Sequence, residues 1–182
     1  MPIQLRPATT DEYESVGALT LRAYRNGLAL HDDDTPYAAE LLDAGRRARE
    51  AELLVADDDD HPGDLLATVT VCRAGTPWAE IARSDETELR MLAVAVQHQG
   101  RGVAHEVMTQ LRALADSEGS TLVVSVIDMN APAHRLYASL GFVRCPDRDW
   151  EPSAGIRLQV YRDSRNARRW LCGDVPRRRL KW

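Results

Sequence analysis

Several patterns are missing from this sequence of 182 residues, and each absence excludes a class of protein. The three cysteines, Cys72, Cys145 and Cys172, form no CxxC pair, which indicates reduced thiols in a cytoplasmic protein. With no paired cysteines and no HExxH-like pattern, we expect no metal site. No apolar run approaches the ~18 residues that a membrane-spanning helix needs. The first residues, MPIQLRPATTDEY, also lack the apolar segment of a secretory signal.

The net charge of −5 is spread unevenly along the chain. Residues 162–182 carry eight basic and two acidic side chains, a net charge of +6, which leaves −11 for the rest. An acidic body disfavours nucleic acid as the main partner and favours a cationic small molecule or a basic peptide. We therefore divide the chain into one domain, residues 1–162, and a basic C-terminal extension, residues 163–182.

The apolar periodicity predicts a single α/β domain. Helical spacing predicts helices after Thr10, over Pro36–Glu50, from Val103 to Gly119 and over residues 131–140. Alternation or short apolar runs predict strands in IQLRPAT, AELLVA, LLATVTVC, TELRMLAVAV, TLVVSVI, GFVRC and GIRLQVY. This order predicts one mixed sheet of six to seven strands with helices on both faces.

The most informative stretch joins a strand to a strong amphipathic helix through Gln99, Gly100, Arg101, Gly102, Val103 and Ala104. A helix N-terminus offers free amide donors and a partial positive charge, and glycines allow the backbone to approach an anion closely. The stretch is therefore a candidate diphosphate cradle. Glycines that serve only tight helix packing would give the same pattern. The Rossmann fingerprint and the GK[S/T] ending of a P-loop are both absent.

Two motifs at this point resemble one family. LAV followed by Gln-x-x-Gly-x-Gly/Ala, filled by Gln99, Gly102 and Ala104, is similar to the acetyl-CoA pyrophosphate loop of the GNAT superfamily of acyl-CoA-dependent N-acyltransferases. Val96 stands where the family often has proline. Residues 130–142 resemble the GNAT signature Asn-x-x-Ala-x-x-Leu-Tyr-x-x-x-Gly-Phe at every marked position. The match covers residues 88–143, and before residue 80 only the order of elements is similar.

The resemblance implies a mostly antiparallel sheet with splayed central parallel strands, and acetyl-CoA as co-substrate without a metal. The implied cofactor-binding residues are Leu92, Ala93 and Val94 for the pantetheine arm and Gln99, Gly100, Arg101, Gly102, Val103 and Ala104 for the diphosphate. Asn130 would hydrogen-bond the pantetheine arm, Ala133 would lie close to the cofactor, and the Tyr137 hydroxyl would lie near the thioester sulfur. Asn130 would serve equally as a helix cap. His98 is a candidate phosphate contact, whereas we expect His105 and His134 to face solvent.

Two residues are implied as catalytic. Tyr137 would protonate the departing thiolate as general acid, although a helical tyrosine is usually a core residue. Glu88 would deprotonate the amine, directly or through water, unless it forms a salt bridge with Arg90 or lies at an exposed edge. Period two places Glu88, Arg90, Leu92 and Val94 on one face of their strand. Asp85 and Glu86 are the alternative bases, and the backbone N–H near Leu92 or Ala93 is the oxyanion candidate.

The acceptor side is the least determined part. The segment His31–Asp34 would attract a cationic amine, or it is a solvated loop. Tyr37 follows this segment, and Trp78 would form an aromatic wall or pack on the core. The leading hypothesis is an N-acetyltransferase acting on a small, peptide or protein amine. A non-catalytic acyl-CoA binder and a nucleic-acid module that uses the basic tail are the alternatives. GNAT domains often pair, so we expect a homodimer, although no residue indicates it.

Overall fold

A mixed β-sheet runs through the part of the chain that the computed structural model describes, residues 3–28, 35–57, 63–153 and 155–165. Its strand order in this part is β1-β2-β3-β4-β5-β8-β6, and β7 also pairs with β8. Every pairing is antiparallel except that of β4 with β5. The predicted mixed, mostly antiparallel fold is confirmed. The strands are β1 (Gln4–Pro7), β2 (Glu52–Asp57), β3 (Ala67–Arg73), β4 (Glu86–Val94), β5 (Thr121–Ile127), β6 (Phe142–Arg144), β7 (Trp150–Ser153) and β8 (Ile156–Asp163).

The strand that the sequence does not reveal is β7. It is four residues long and contains Pro152, which cannot donate a ladder hydrogen bond. Proline is tolerated there because β7 lies at the edge of the sheet and pairs only with β8 among the described residues. The described sheet therefore has eight strands, where the periodicity predicts six to seven.

Five α-helices flank the sheet in the described part of the chain. They are α1 (Tyr13–Leu28), α2 (Pro36–Leu42), α3 (Ala44–Glu50), α4 (Val103–Ser117) and α5 (Ala131–Ser139). The prediction of one helix over Pro36–Glu50 is wrong at Asp43, whose ψ of 67° leaves the helical region. Its carboxylate accepts a hydrogen bond from the Arg46 amide at 2.8 Å, so Asp43 ends α2 and caps α3.

The two faces of the sheet carry different cores. On one face, Val107, Met108 and Leu111 of α4 pack with Tyr137 of α5 against the central strands. On the other face, three smaller clusters join α1, α2 and α3 to β2, β3 and β4. Helices lie on both faces of the sheet, as predicted.

A β-bulge interrupts β4 at its middle. Thr70 of β3 lies opposite Arg90, and Thr68 lies opposite Ala93. One residue of β3 therefore faces two residues of β4 between these pairs. Met91, at the bulge, has a φ of 51°, and it is the one non-glycine residue with positive φ among the described residues. Such a conformation is uncommon for a side chain of this size.

The bulge changes which side chains of β4 share a face. Before it, Glu88 lies opposite Cys72, which packs with α1 and α2. After it, Leu92 and Val94 pack on the α4 face, whereas Ala93 packs against α1. The prediction that Glu88, Arg90, Leu92 and Val94 share one face is therefore wrong, because the extra residue reverses the alternation.

The parallel strands separate at the same place. β4 pairs with β5 from Glu86, opposite Thr121, to Leu89, opposite Val124. Beyond Leu89 no further β4–β5 pair exists, although β5 continues to pair with β8 as far as Ile127. The predicted splay of the central parallel strands is thus present, and it opens at the bulge.

Two further expectations concern the basic C-terminal extension and membrane-spanning helices. β8 ends at Asp163, whose buried carboxylate lies 2.9 Å from Nε of Arg112 in α4. Most of the predicted basic extension, from residue 166 onwards, lies outside the described residues. No helix within the described ranges has the length and apolar character needed to cross a bilayer.

Gly17 tests how closely α1 packs on α2. A Cβ at this position would lie 2.3 Å from the carbonyl oxygen of Leu42, so we expect Gly17→Ala to lower the free energy of unfolding by about 1–3 kcal/mol. Gly27, on the same helix, is the matched control, because a Cβ there would have nothing within 4 Å. Gly27→Ala should be neutral or stabilise the protein by up to about 1 kcal/mol. Urea unfolding of both variants measures the difference, and equal effects would contradict the proposed close packing.

Candidate active site

The predicted diphosphate cradle follows β4 directly. A 3-10 helix, Val96–His98, leads to Gly100 and Gly102, whose φ angles are 73° and 84°. Gly102 is the N-cap of α4, and no side chain caps the first turn. The amides of the first turn therefore have no capping acceptor. Nothing lies within 4 Å of a Cβ placed at either glycine, so open space borders this backbone. An anion fits this arrangement.

Some side chains of the cradle hold the loop in place, whereas others are exposed to solvent. Gln99 donates from Nε2 to the carbonyl oxygen of Val94 at 3.1 Å, and its Oε1 accepts from Asn26 of α1 at 3.2 Å. Gln99 therefore ties the loop to β4 and α1. Arg101 is exposed and contacts no partner among the described residues. His98 is buried within the 3-10 helix, whereas His105 is exposed as predicted.

The gap between the parallel strands lies beside three predicted pantetheine-binding residues. Leu92, Ala93 and Val94 follow the bulge, and none of them pairs with β5. Ala93 and Val94 pair with β3 on their other side. Backbone groups of β4 that point towards β5 therefore have no strand partner there, and an extended amide-bearing chain could pair with them.

The second motif forms the start of α5. Oδ1 of Asn130 accepts a hydrogen bond from the Ala133 amide at 3.1 Å, so the cap that the sequence allows is present. Asn130 thereby fixes the turn between β5 and α5. His134, one residue further on, is half-buried and hydrogen-bonded to Tyr161, so the expectation that it faces solvent is wrong.

Tyr137 lies in the core on the α4 face with only 6% of its surface exposed. Its ring contacts Phe142 at a centroid distance of 5.3 Å and Tyr161 at 6.3 Å. Burial raises the pKa of Tyr137 above its ordinary value, and the nearby Tyr24 raises it further. The hydroxyl has no hydrogen bond to any described residue.

Glu88 is completely buried on the opposite face, and two backbone amides hold its carboxylate. Oε2 accepts from Glu80 N at 2.7 Å and from Ile81 N at 2.8 Å, whereas Oε1 accepts no hydrogen bond from any residue that the structure describes. Burial raises the pKa of Glu88, although these amides and the charge of Arg90 oppose the shift. The sequence-based alternatives, an exposed edge or a salt bridge with Arg90, do not describe this environment.

The two alternative carboxylates have other partners. Glu86 forms ion pairs with Arg148 at 2.8 Å and with Arg162 at 3.0 Å. Burial alone would raise the pKa of Glu86, but these hydrogen bonds and charges lower it overall. Asp85 lies 3.7 Å from Arg162 and is half-exposed. Glu86 is therefore a weak base held in an ionic cluster, and of the carboxylates weighed from the sequence only Glu88 combines burial with a raised pKa.

The wall beside Glu88 contains residues that the sequence assigns no role. Glu80 pairs with Arg90 at 3.2 Å, and burial raises the pKa of its carboxyl. Trp78 is buried, and the guanidinium groups of Arg46 and Arg90 each lie 5.2 Å from its ring centroid. Trp78 is therefore a packed part of this wall. No sequence motif indicates which arginine a side chain will pair with in the fold, so the sequence alone does not reveal the pairing of Glu80 with Arg90.

The rest of the predicted acceptor side is only partly described. Tyr37 of α2 is 39% exposed and meets Tyr24 edge to face, with ring centroids 6.2 Å apart. The acidic segment His31–Asp34 lies outside the described residues. Within the described ranges, no three His, Cys, Asp or Glu side chains are grouped so as to hold a metal ion.

Solved structures share the fold of this chain. An acetyltransferase of the GNAT family from Staphylococcus aureus Mu50 matches with a TM-score of 0.66 and 12% identity, over 88% of this chain and 98% of that one. PaiA N-acetyltransferase from Thermoplasma acidophilum, solved in complex with coenzyme A, matches with a TM-score of 0.63 and 13% identity, over 88% and 98%. YncA from Salmonella typhimurium, solved with its cofactor acetyl-CoA, gives 0.59 and 18%, over 89% and 93%.

These identities establish a shared fold. A search of curated proteins finds no match. The family model described as Acetyltransferase (GNAT) family matches residues 14–142, which is more than half of the chain and includes both the cradle and the Asn130 motif. The chain therefore belongs to the GNAT acetyltransferase family.

Proposed function

We propose that this acetyltransferase moves an acetyl group from acetyl-CoA to a primary amine, on a small molecule or on a peptide or protein, by direct attack. The observation that carries the proposal is the gap between β4 and β5, which opens at the bulge and ends at the amides of the cradle. One continuous path therefore offers unpaired strand groups for two amides and then a helix N-terminus for a diphosphate.

The residues along this path fit acetyl-CoA, which supplies an acetyl group activated as a thioester when bound. Leu92, Ala93 and Val94 would pair with the pantetheine arm, and an N–H of this segment would hold the thioester oxygen. The backbone and side chains of the cradle, Gln99, Gly100, Arg101, Gly102, Val103 and Ala104, would hold the diphosphate. Asn130 and Ala133 would border the arm at the start of α5. The complexes of PaiA with coenzyme A and of YncA with acetyl-CoA support this assignment.

The acceptor amine must lose a proton before it can attack, because an ammonium group has no lone pair. We assign this role to Glu88, directly or through water. Its Oε1 has no hydrogen bond, and its raised pKa makes it a stronger base than an ordinary carboxylate. It lies on the face of α1 and α2, where Tyr24, Tyr37 and Glu80 would border the acceptor.

The departing sulfur needs a proton as the carbon–sulfur bond breaks. We assign it to the Tyr137 hydroxyl, which has no competing hydrogen bond among the described residues and lies on the opposite face of the sheet from Glu88. The two proton transfers would then occur from opposite sides of the gap. We assign no role to either described cysteine, because burial raises the pKa of Cys72 to about 12 and raises that of Cys145 above its ordinary value, and a protonated thiol is a poor nucleophile.

Release of thiol from acetyl-CoA, measured over a panel of small amines and basic peptides, tests the proposal together with calorimetry of acetyl-CoA binding. Amine-dependent thiol release supports it. Tight binding with no turnover across the panel would instead favour a non-catalytic acyl-CoA sensor, a role that the cradle serves equally well. Absence of binding would reject both functions.

The cradle can be tested separately from the chemistry. We expect Gly102→Ala to weaken acetyl-CoA binding at least tenfold, because its Cβ would enter the open space beside the first-turn amides and its φ is 84°. Gly119→Ala is a matched control, with a φ of 66° just beyond the other end of α4 and open space around it. Both changes should cost about 1–2 kcal/mol of stability through left-handed strain. Calorimetry should show weaker binding for the first variant only, and equal affinities would contradict the cradle.

Tyr137→Phe removes only the proposed acid. We expect kcat to fall by about 10²–10⁴-fold, because general acid catalysis typically contributes this much. The dissociation constant of acetyl-CoA and the thermal stability should change little, since the hydroxyl has no hydrogen bond to lose. Tyr13→Phe, which removes a phenol at the start of α1, is the control. Steady-state kinetics at saturating acetyl-CoA measures the effect, and an unchanged kcat would remove Tyr137 from the chemistry.

Glu88→Gln tests the base and its pH dependence. The base must be deprotonated, so the rate should rise with pH through the pKa of Glu88, which burial raises above its ordinary value. Gln retains a carbonyl oxygen for the Glu80 and Ile81 amides but cannot accept the proton. We therefore expect a loss of kcat of about 10²-fold or more and disappearance of this acidic limb. The exposed Glu14→Gln should retain the limb, and persistence of the limb in Glu88→Gln would assign it to another group.

A further inference from the structure

The position of the Tyr137 hydroxyl depends on how its ring is held. The hydroxyl has no hydrogen bond to a described residue that could orient it. Its ring lies between Phe142, with centroids 5.3 Å apart and planes at 60°, and Tyr161, with centroids 6.3 Å apart and planes at 30°. A proton donor held only by ring packing is oriented by whatever fixes those neighbouring rings.

Tyr161 is fixed at its hydroxyl and on its ring. Its Oη lies 2.7 Å from Nδ1 of His134 in α5. The guanidinium carbon of Arg144 lies 5.4 Å from the Tyr161 ring centroid, and Asp149 holds that guanidinium with two hydrogen bonds of 2.6 Å. The backbone of Tyr161 pairs with Val124 of β5, next to the gap.

The surroundings of His134 define the direction of this hydrogen bond. Its Nε2 lies 3.1 Å from the carbonyl oxygens of Ile127 and Asp128, at the end of β5. Carbonyl oxygens only accept, so Nε2 carries a proton. In the neutral ring Nδ1 is then an acceptor, and Tyr161 donates to it. His134 thus joins the end of β5 to the ring beside Tyr137.

We propose that Tyr161 and His134 are positioning residues for acetyl transfer, and that their hydrogen bond orients the Tyr137 ring so that its hydroxyl reaches the departing sulfur. The inference rests on the proposed function. Neither residue is needed to start or anchor α5, because Asn130 caps the helix and Leu140 packs at its end in the core. Loss of the hydrogen bond should therefore affect the acid more than the fold.

Two substitutions of His134 separate its two hydrogen bonds. In His134→Asn, the amide oxygen can occupy the place of Nδ1 and accept from Tyr161. In His134→Gln, the amide nitrogen can occupy the place of Nε2 and donate to the end of β5, while the acceptor for Tyr161 is lost. Tyr161→Phe removes the same hydrogen bond from the other side and keeps the ring. Ala138→Gln is the control, since it places the same new side chain on the exposed face of α5.

We expect His134→Gln and Tyr161→Phe to lower kcat about tenfold, with the KM for acetyl-CoA changed less than twofold. His134→Asn should retain most of the rate, and Ala138→Gln should match the wild type. In a Tyr137→Phe background, His134→Gln should have no further effect on kcat, because the bond acts through the Tyr137 hydroxyl. A full tenfold effect in that background, or equal rates for His134→Gln and His134→Asn, would overturn the inference.

A measurement without turnover tests the hydrogen bond itself. Nitrogen-15 NMR of the imidazole groups should show His134 in the Nε2–H form, with the Nδ1 signal shifted in Tyr161→Phe. A His134 in the Nδ1–H form would overturn the inference whatever the kinetics. A wild-type protein that turns over while both variants keep its rate would reject the positioning role alone. A wild type that binds acetyl-CoA but has no turnover would reject the proposed function.

Discussion

The bulge at Met91 is the constraint on which the rest of the site depends. Two parallel strands at the centre of a sheet would ordinarily pair along their shared length, and an unpaired buried amide there would cost free energy. β4 pairs with β3 on both sides of the extra residue, whereas its pairing with β5 ends at Leu89, just before the bulge. The strand thus remains held on one side while the other side opens. A binding gap inside a sheet requires this combination, because releasing both sides would remove β4 from the fold.

The same extra residue determines which side chains of β4 lie on each face of the sheet. If the alternation continued unbroken, Glu88 would share a face with Leu92 and Val94. The proposed base would then lie on the same face of β4 as residues proposed to bind the pantetheine arm. Because the bulge reverses the alternation, Leu92 and Val94 pack towards α4, whereas Glu88 stays under α1 and α2. The proposed acid, Tyr137, belongs to the α4 side. A thioester held in the gap would then have the proposed base on one side of the sheet and the proposed acid on the other.

The sequence predicts the fold and the cradle because both depend on local signals. Helical spacing and apolar runs act within a few residues and predict most of the elements, although the predicted helix over Pro36–Glu50 divides at Asp43 and β7 is not revealed. Gly100 and Gly102 have the positive φ angles on which the cradle prediction depends. The errors arise where a partner distant in sequence decides the outcome. The bulge is defined by pairing with β3, the burial of Glu88 by the amides of Glu80 and Ile81, and the position of His134 by a strand 27 residues away. Neither the apolar periodicity nor the amino-acid composition of the sequence indicates these partners.

The environment of Glu88 follows from the same loop that borders the acceptor. A carboxylate without contact to water is costly unless hydrogen bonds compensate, and here two amides do so for one oxygen only. Those amides belong to the segment between Trp78 and Ile81, which Arg90 also holds through the Trp78 carbonyl at 3.0 Å. A group that displaced this segment would remove the amides, which lower the pKa of Glu88, and would also reduce the burial that raises it. This loop therefore determines both the basicity of the Glu88 carboxylate and the shape of the wall beside the acceptor, so a change in one would change the other.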